Sequence, residues 1–188
     1  MVMILANVYE VDYFSALIIM IIVFVVLVLV YIGFVSLSFA FMGNFRKKLK
    51  NKRDFINILL FQKCEALNNL YVLFGEKAEN EQVLTNFNSN TYYHEYRKLE
   101  PDEFYLYFSY TQTVYNAFQK LYISEKIEDE NKLKIQDMIK TIDDINTKYN
   151  ENVQYYNMDA IAFNYWRNVF STKWIKKLFK VKEVKELQ

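Results

Sequence analysis

The longest pattern in the chain is an uninterrupted apolar one. From Tyr13 to Phe45 no residue is charged, and the centre, ALIIMIIVFVVLVLVYIGF, is almost purely aliphatic. About 20 apolar residues cross the hydrocarbon core of a bilayer. There every backbone polar group must be satisfied within the segment, which predicts a single transmembrane helix. A cleaved leader has a basic start and a short apolar core. Here Glu10 and Asp12 precede the run, no Lys or Arg does, and the run is far too long. A retained anchor is the expectation. Directly behind it, RKKLKNKR places six basic residues in eight positions: Arg46, Lys47, Lys48, Lys50, Lys52 and Arg53. The positive-inside rule puts this flank in the cytoplasm and the short acidic N-terminus outside. Stop-transfer and contact with anionic lipid explain these charges better than a nucleic-acid partner does.

Beyond the flank the periodicity becomes helical. Between Asp54 and Phe74 the residues Phe55, Ile56, Leu59, Leu60, Cys64, Leu67, Leu70, Tyr71 and Phe74 recur at intervals of three and four. They predict a broad apolar face that stops at Gly75. No strong breaker separates this helix from the anchor. Residues 76–100 are polar and weakly periodic, predicting one helix open to interruption near Phe87 to Asn90. Pro101 followed by Asp102 and Glu103 predicts a clean helix start. Phe104, Tyr107, Phe108, Thr111, Val114, Tyr115, Phe118, Leu121 and Tyr122 make its stripe. An acidic connector, Ser124 to Asn131, leads into the most regular element. There Ile135, Ile142, Tyr149, Tyr156 and Phe163 repeat every seven residues, joined by Met138, Ile145, Val153 and Ala160. Seven residues are two helical turns, so this row is a core seam. A second row at the same interval holds Asn150, Asn157 and Asn164, expected either to bond neighbouring helices and fix register or, with the tyrosines, to line a groove for a ligand or peptide. Each seam tyrosine is expected to send its hydroxyl to a partner.

The last stretch, STKWIKKLFKVKEVKEL, reads as a basic amphipathic helix. It can cap the bundle or lie on an anionic membrane surface, in which case Lys173, Trp174, Lys176, Lys177, Phe179 and Lys180 are its candidate contacts. The whole is therefore expected to be all-α. Residues 1–12 form an outer N-terminus, 13–45 an anchor with its flank at 46–53, 54–170 an antiparallel bundle of three to four long helices, and 171–188 the amphipathic helix.

Composition narrows the chemistry. Only 3 Gly and 1 Pro in 188 residues disfavour an all-β design. Net charge is +1, so bulk electrostatics nominates no nucleic acid. One cysteine and one histidine exclude a disulfide framework, a zinc constellation and a di-iron carboxylate core. No phosphate loop or serine elbow occurs. His94 has no orienting partner nearby in sequence and reads as a surface residue. Cys64 reads as a small buried hydrophobe. Glu125, Glu128, Asp129 and Glu130 lack the spacing of a calcium loop and read as a solvated connector. Neither a cofactor nor a small-molecule substrate is evident.

The stretch YNENVQYYN, with Tyr149, Asn150, Val153, Tyr156 and Asn157, resembles the Tyr-Asn-x-x-Val-x-x-Tyr-Asn signature of the LemA family. Phe163 fits the Phe-Pro that usually follows, while Asn164 stands where Pro is expected. RDFINIL, Arg53 to Leu59, is similar to the family's Asp-Leu-Ile-Pro-Asn-Leu segment in Asp54, Ile56 and Leu59, but Asn57 and Ile58 replace its Pro and Asn. The middle of the chain shows no match. The resemblance implies a divergent member, with a membrane helix followed by an antiparallel helical bundle. It brings no catalytic residue.

Together these readings predict a non-enzymatic scaffold or adaptor at the cytoplasmic face of the cell membrane of a low-GC bacterium. Its partners would be the lipid bilayer and a protein or a second copy. The alternative is a lipid-binding or membrane-remodelling protein working through the C-terminal helix. An enzyme whose site forms only in an oligomer has no residue-level support.

Overall fold

The structure, a computed structural model, describes residues 2–124, 129–168, 176–177 and 181–187, without the side chains of 2–12 and 129–130. The described residues are helical throughout their ordered elements and contain no strand. Among the described residues the α-helices with stated bounds are α1 (Val2–Phe74), α2 (Glu76–Glu79), α3 (Gln82–Ser89), α4 (Pro101–Ser124) and α5 (Asp129–Asn168). A single 3-10 turn, Thr91–Tyr93, lies between α3 and α4.

The anchor and the first body helix are thus one element. Nothing between them breaks a helix, and α1 runs on until Gly75, whose φ of 54° lies in the left-handed region. Glycine adopts that conformation without the Cβ clash other residues meet. The Gly75 amide closes the last turn on the Tyr71 carbonyl at 3.0 Å.

Two compact units make up the chain. The first joins Met1–Asn44 to Tyr165–Lys182. In it α1 is long and apolar enough to cross a membrane, and its large side chains from Tyr13 to Ile32 are exposed. Ser38 is buried and turns its hydroxyl back onto the Phe34 carbonyl at 2.9 Å, so it leaves no polar group unsatisfied. Phe41 stacks on Trp166 with ring centroids 5.8 Å apart.

The second unit joins Phe45–Asn164 to Glu183–Gln188. Its core contains the apolar rows expected from periodicity. Leu67, Leu70 and Phe74 of α1 meet Leu84 and Phe87 of α3, Val114 and Phe118 of α4, and Ile135 and Ile142 of α5. The seam residues Ile135, Ile142, Tyr149, Tyr156 and Phe163 are all buried. Tyr115 ties α4 to α5 by donating to an Asp143 carboxylate oxygen at 2.7 Å. Burial holds its hydroxyl well above the usual phenol range, and the Asp143 carboxylate adds to this.

Residues 76–100 depart from the single helix expected. The chain leaves helical geometry after Glu79 and again at Asn90, whose side chain accepts from the Tyr92 amide and caps the 3-10 turn. The loop that follows is pinned from several sides. Asn57, buried on α1, donates to the Arg97 carbonyl at 2.9 Å and accepts from the Leu99 amide at 3.2 Å. Tyr107 donates to the Tyr93 carbonyl at 2.6 Å, and the Tyr93 ring stacks on Tyr110 at 4.2 Å. Glu103 closes the start of α4 by accepting from the Glu100 amide at 2.8 Å. Side chains therefore replace the helical ladder as partners for this backbone.

Candidate functional site

The asparagine row does not bond neighbouring helices. Asn157 donates to the Leu187 carbonyl at 2.7 Å and accepts from the Leu187 amide at 2.8 Å. One heptad on, Asn164 donates to the Val184 carbonyl at 2.9 Å and accepts from the Val184 amide at 3.1 Å. Each carboxamide thus reads both main-chain groups of one residue. Asn150 is exposed and has no such partner among the described residues.

These bonds demand a non-helical tail. Residues 181–187 carry no helix, which corrects that part of the amphipathic helix expected over 171–188; Lys176 and Lys177 are helical. Leu187 is 2% exposed and Val184 half-buried, while Lys185 and Glu186 face solvent. This inward spacing of three departs from the alternation of a β-strand. Seven residues of α-helix rise about 10.5 Å, a span that three residues cover only when extended. Asparagines one heptad apart therefore meet tail residues three apart.

The tail occupies one side of a groove between α4 and α5. Lys185 reaches Asp102 at 2.8 Å, an exposed pair that aligns the segment more than it stabilises it. Beside the tail a cleft of about 980 Å³ is lined by Pro101, Asp102, Tyr105 and Leu106 of α4 and by Asn164. The docked tail is held by four side-chain-to-backbone hydrogen bonds and by burial of Leu187.

The candidate chemical residues are engaged elsewhere. Cys64 is buried and donates to the Tyr93 carbonyl, and burial pushes its thiol up to about 11. His94 Nε2 lies 2.9 Å from the Phe87 carbonyl oxygen, with its ring 4.8 Å from the Phe87 ring. Both placements are structural. Among the described residues no three His, Cys, Asp or Glu side chains cluster to hold a metal. Glu125 and Glu128, with the side chains of Asp129 and Glu130, lie outside the described residues. So do Lys173, Trp174, Phe179 and Lys180.

Sequence reasoning missed Lys63. It is 0% exposed, donates to Gln112 Oε1 at 2.8 Å and sits 4.2 Å from the Phe108 ring centroid. No carboxylate pairs with it among the described residues, and burial lowers its pKa to about 7. Phe108 also stacks on Tyr149 at 4.2 Å. The Tyr149 hydroxyl is buried without a hydrogen-bond partner among the described residues, which corrects the expectation that each seam tyrosine finds one.

The basic flank divides in two. Arg46, Lys47, Lys48 and Lys50 are exposed, as a lipid-facing patch requires. Lys52 turns instead to α5, pairing with Asp159 at 2.7 Å and donating to the Tyr155 carbonyl at 3.0 Å, while Arg53 is half-buried. Lys176 bonds Asn168 Oδ1 at 3.2 Å, and both Lys176 and Lys177 are helical. Val153, the signature's central residue, is half-buried beside the seam.

No family model matches the chain, and neither does any curated protein or solved structure.

Proposed function

We propose that this protein is a membrane-anchored, non-enzymatic adaptor of divergent LemA type. In this reading α1 spans the cell membrane through residues 13–45 with the N-terminus outside. The body is an antiparallel helical bundle on the cytoplasmic face, where it engages other proteins. The observation that carries the reading is the pair Asn157 and Asn164, four hydrogen-bonding groups directed at the main chain of a non-helical segment. Groups that read main chain in this way suit peptide recognition and offer no route to catalysis. The engagement of Cys64 and His94 in packing supports a non-enzymatic role. The exposed cations Arg46, Lys47, Lys48 and Lys50 suit a surface held against anionic lipid.

Photo-crosslinking from native membranes tests the adaptor reading. Photoreactive residues placed at exposed body positions Val72, Tyr105 and Ile123 are expected to capture polypeptide from at least one of them. Adducts to lipid alone, from every position, would reject it.

A further inference from the structure

We propose that the Asn157–Asn164 groove is a binding site for an extended peptide of a partner protein, with residues 183–187 as its intramolecular stand-in. This rests on the adaptor reading above and names the surface and the ligand chemistry through which it works.

The carboxamides contact the amide and carbonyl of Val184 and Leu187 and no side-chain polar atom of the tail. Any segment with free N–H and C=O groups three residues apart, in the same extended conformation, presents the same pattern. Proline at either anchor is excluded, since it has no N–H. The buried Leu187 and half-buried Val184 ask for aliphatic side chains at both anchors. Asp102, which meets Lys185 at 2.8 Å, asks for a cation directly after the first anchor. The ligand is therefore an extended aliphatic–basic–x–aliphatic segment.

A partner protein suits the site better than a second copy. A second copy's tail would make the contacts the resident tail already makes and would leave the cleft beside it unfilled. That cleft, about 980 Å³, is bordered by Tyr105 and Leu106, which remain 54% and 66% exposed with the tail docked. A ligand with bulkier flanking side chains buries them as well. It then gains over the tail despite the tail's high effective concentration.

The test is a titration of the anchored protein in nanodiscs with a fluorescent peptide of sequence VKEVKELQ, residues 181–188. A chain ending at Lys182 is expected to bind it. The intact chain is expected to bind at least about ten-fold more weakly, because its own tail competes. Asn157→Leu in the shortened chain is expected to weaken binding about ten-fold through two lost hydrogen bonds. Methylating the peptide nitrogens equivalent to Val184 and Leu187 should abolish binding while every side chain stays in place. A basic-to-acidic change at the Lys185 position should weaken binding and be rescued by Asp102→Lys. Should the shortened chain lose its helicity, the full chain with Leu187→Asp frees the groove without deletion, and the same outcomes apply.

No binding to either freed, helical protein at about 1 mM peptide overturns the proposal. Equal binding of the N-methylated peptide does so too. A dimer of the intact chain that falls apart on removal of residues 183–188 would give the site to a second copy and overturn the partner-protein assignment. If the titration fails while body crosslinks still capture protein, the adaptor reading stands and the groove alone is lost.

Discussion

Lys63 offers the sharpest energetic prediction, because a fully buried ammonium without a carboxylate is costly. Its pKa falls from 10.5 to about 7 on folding. Between those values the unfolded chain holds a proton that the folded chain releases, so stability rises with pH across the window. Below about pH 7 both states are protonated and the full cost remains. At about 1.4 kcal/mol per pH unit, the gap from 10.5 to about 7 sets a ceiling of about 5 kcal/mol. The Phe108 ring at 4.2 Å favours the charged form by about 2 kcal/mol, which brings the expectation to about 3 kcal/mol. Lys63→Met keeps the volume and removes the charge. Urea unfolding of the body, followed by far-UV circular dichroism in detergent micelles, measures the difference between wild type and variant. At pH 6 the variant is expected to be more stable by about 3 kcal/mol. Above pH 7 that advantage should shrink as pH rises, by at most about 1.4 kcal/mol per pH unit. Cys64 titrates with the opposite sign only from about 9 upward, since burial lifts its thiol from 9.0 to about 11, so the lower window is clean. Equal stabilities with parallel pH profiles would refute the reasoning.

Other perturbations follow from single contacts. Tyr156→Ala empties a buried seam position and is expected to cost about 3–5 kcal/mol in the same unfolding assay. Asn57→Ala leaves the Leu99 amide and Arg97 carbonyl without their partner and should cost about 1–3 kcal/mol, with faster amide exchange confined to residues 95–100. Cys64, buried and with its thiol raised to about 11, should resist maleimide at pH 7.5 until denaturant is added. A cysteine placed at exposed Lys47 therefore reports topology without background. It should react with an impermeant maleimide only after cells are permeabilised, if the flank faces the cytoplasm.

Much of the architecture was legible because burial imposes a period. The row from Ile135 to Phe163 is buried as its spacing requires, and α4 begins at Pro101 as the Pro-Asp-Glu start predicts. Residues 76–100 were less legible, since their backbone partners are distant side chains, Asn57 and Tyr107, that no local window contains. The tail was misread for a geometric reason. Val181, Val184 and Leu187 share a side at intervals of three both in a helix and in a three-fold extended segment, so local pattern cannot separate the two. Their choice is made by Asn164 and Asn157, 20 and 30 residues away. The asparagine row shows its spacing in sequence but not its partner. Lys63 stands on the apolar row itself, at the three-and-four spacing between Leu60 and Leu67, so the period did place it inward; its charge argued for solvent, and only the fold shows the burial.

The central claim is that Asn157 and Asn164 hold main chain. Residue-resolved hydrogen exchange of the intact protein in nanodiscs tests it most directly. The amides of Val184 and Leu187 should be protected at least about ten-fold over those of Lys185 and Glu186. Asn164→Ala should release Val184, and Asn157→Ala should release Leu187, while protection around buried Tyr156 persists. Equal, fast exchange at all four tail amides, or protection indifferent to both substitutions, would contradict the account.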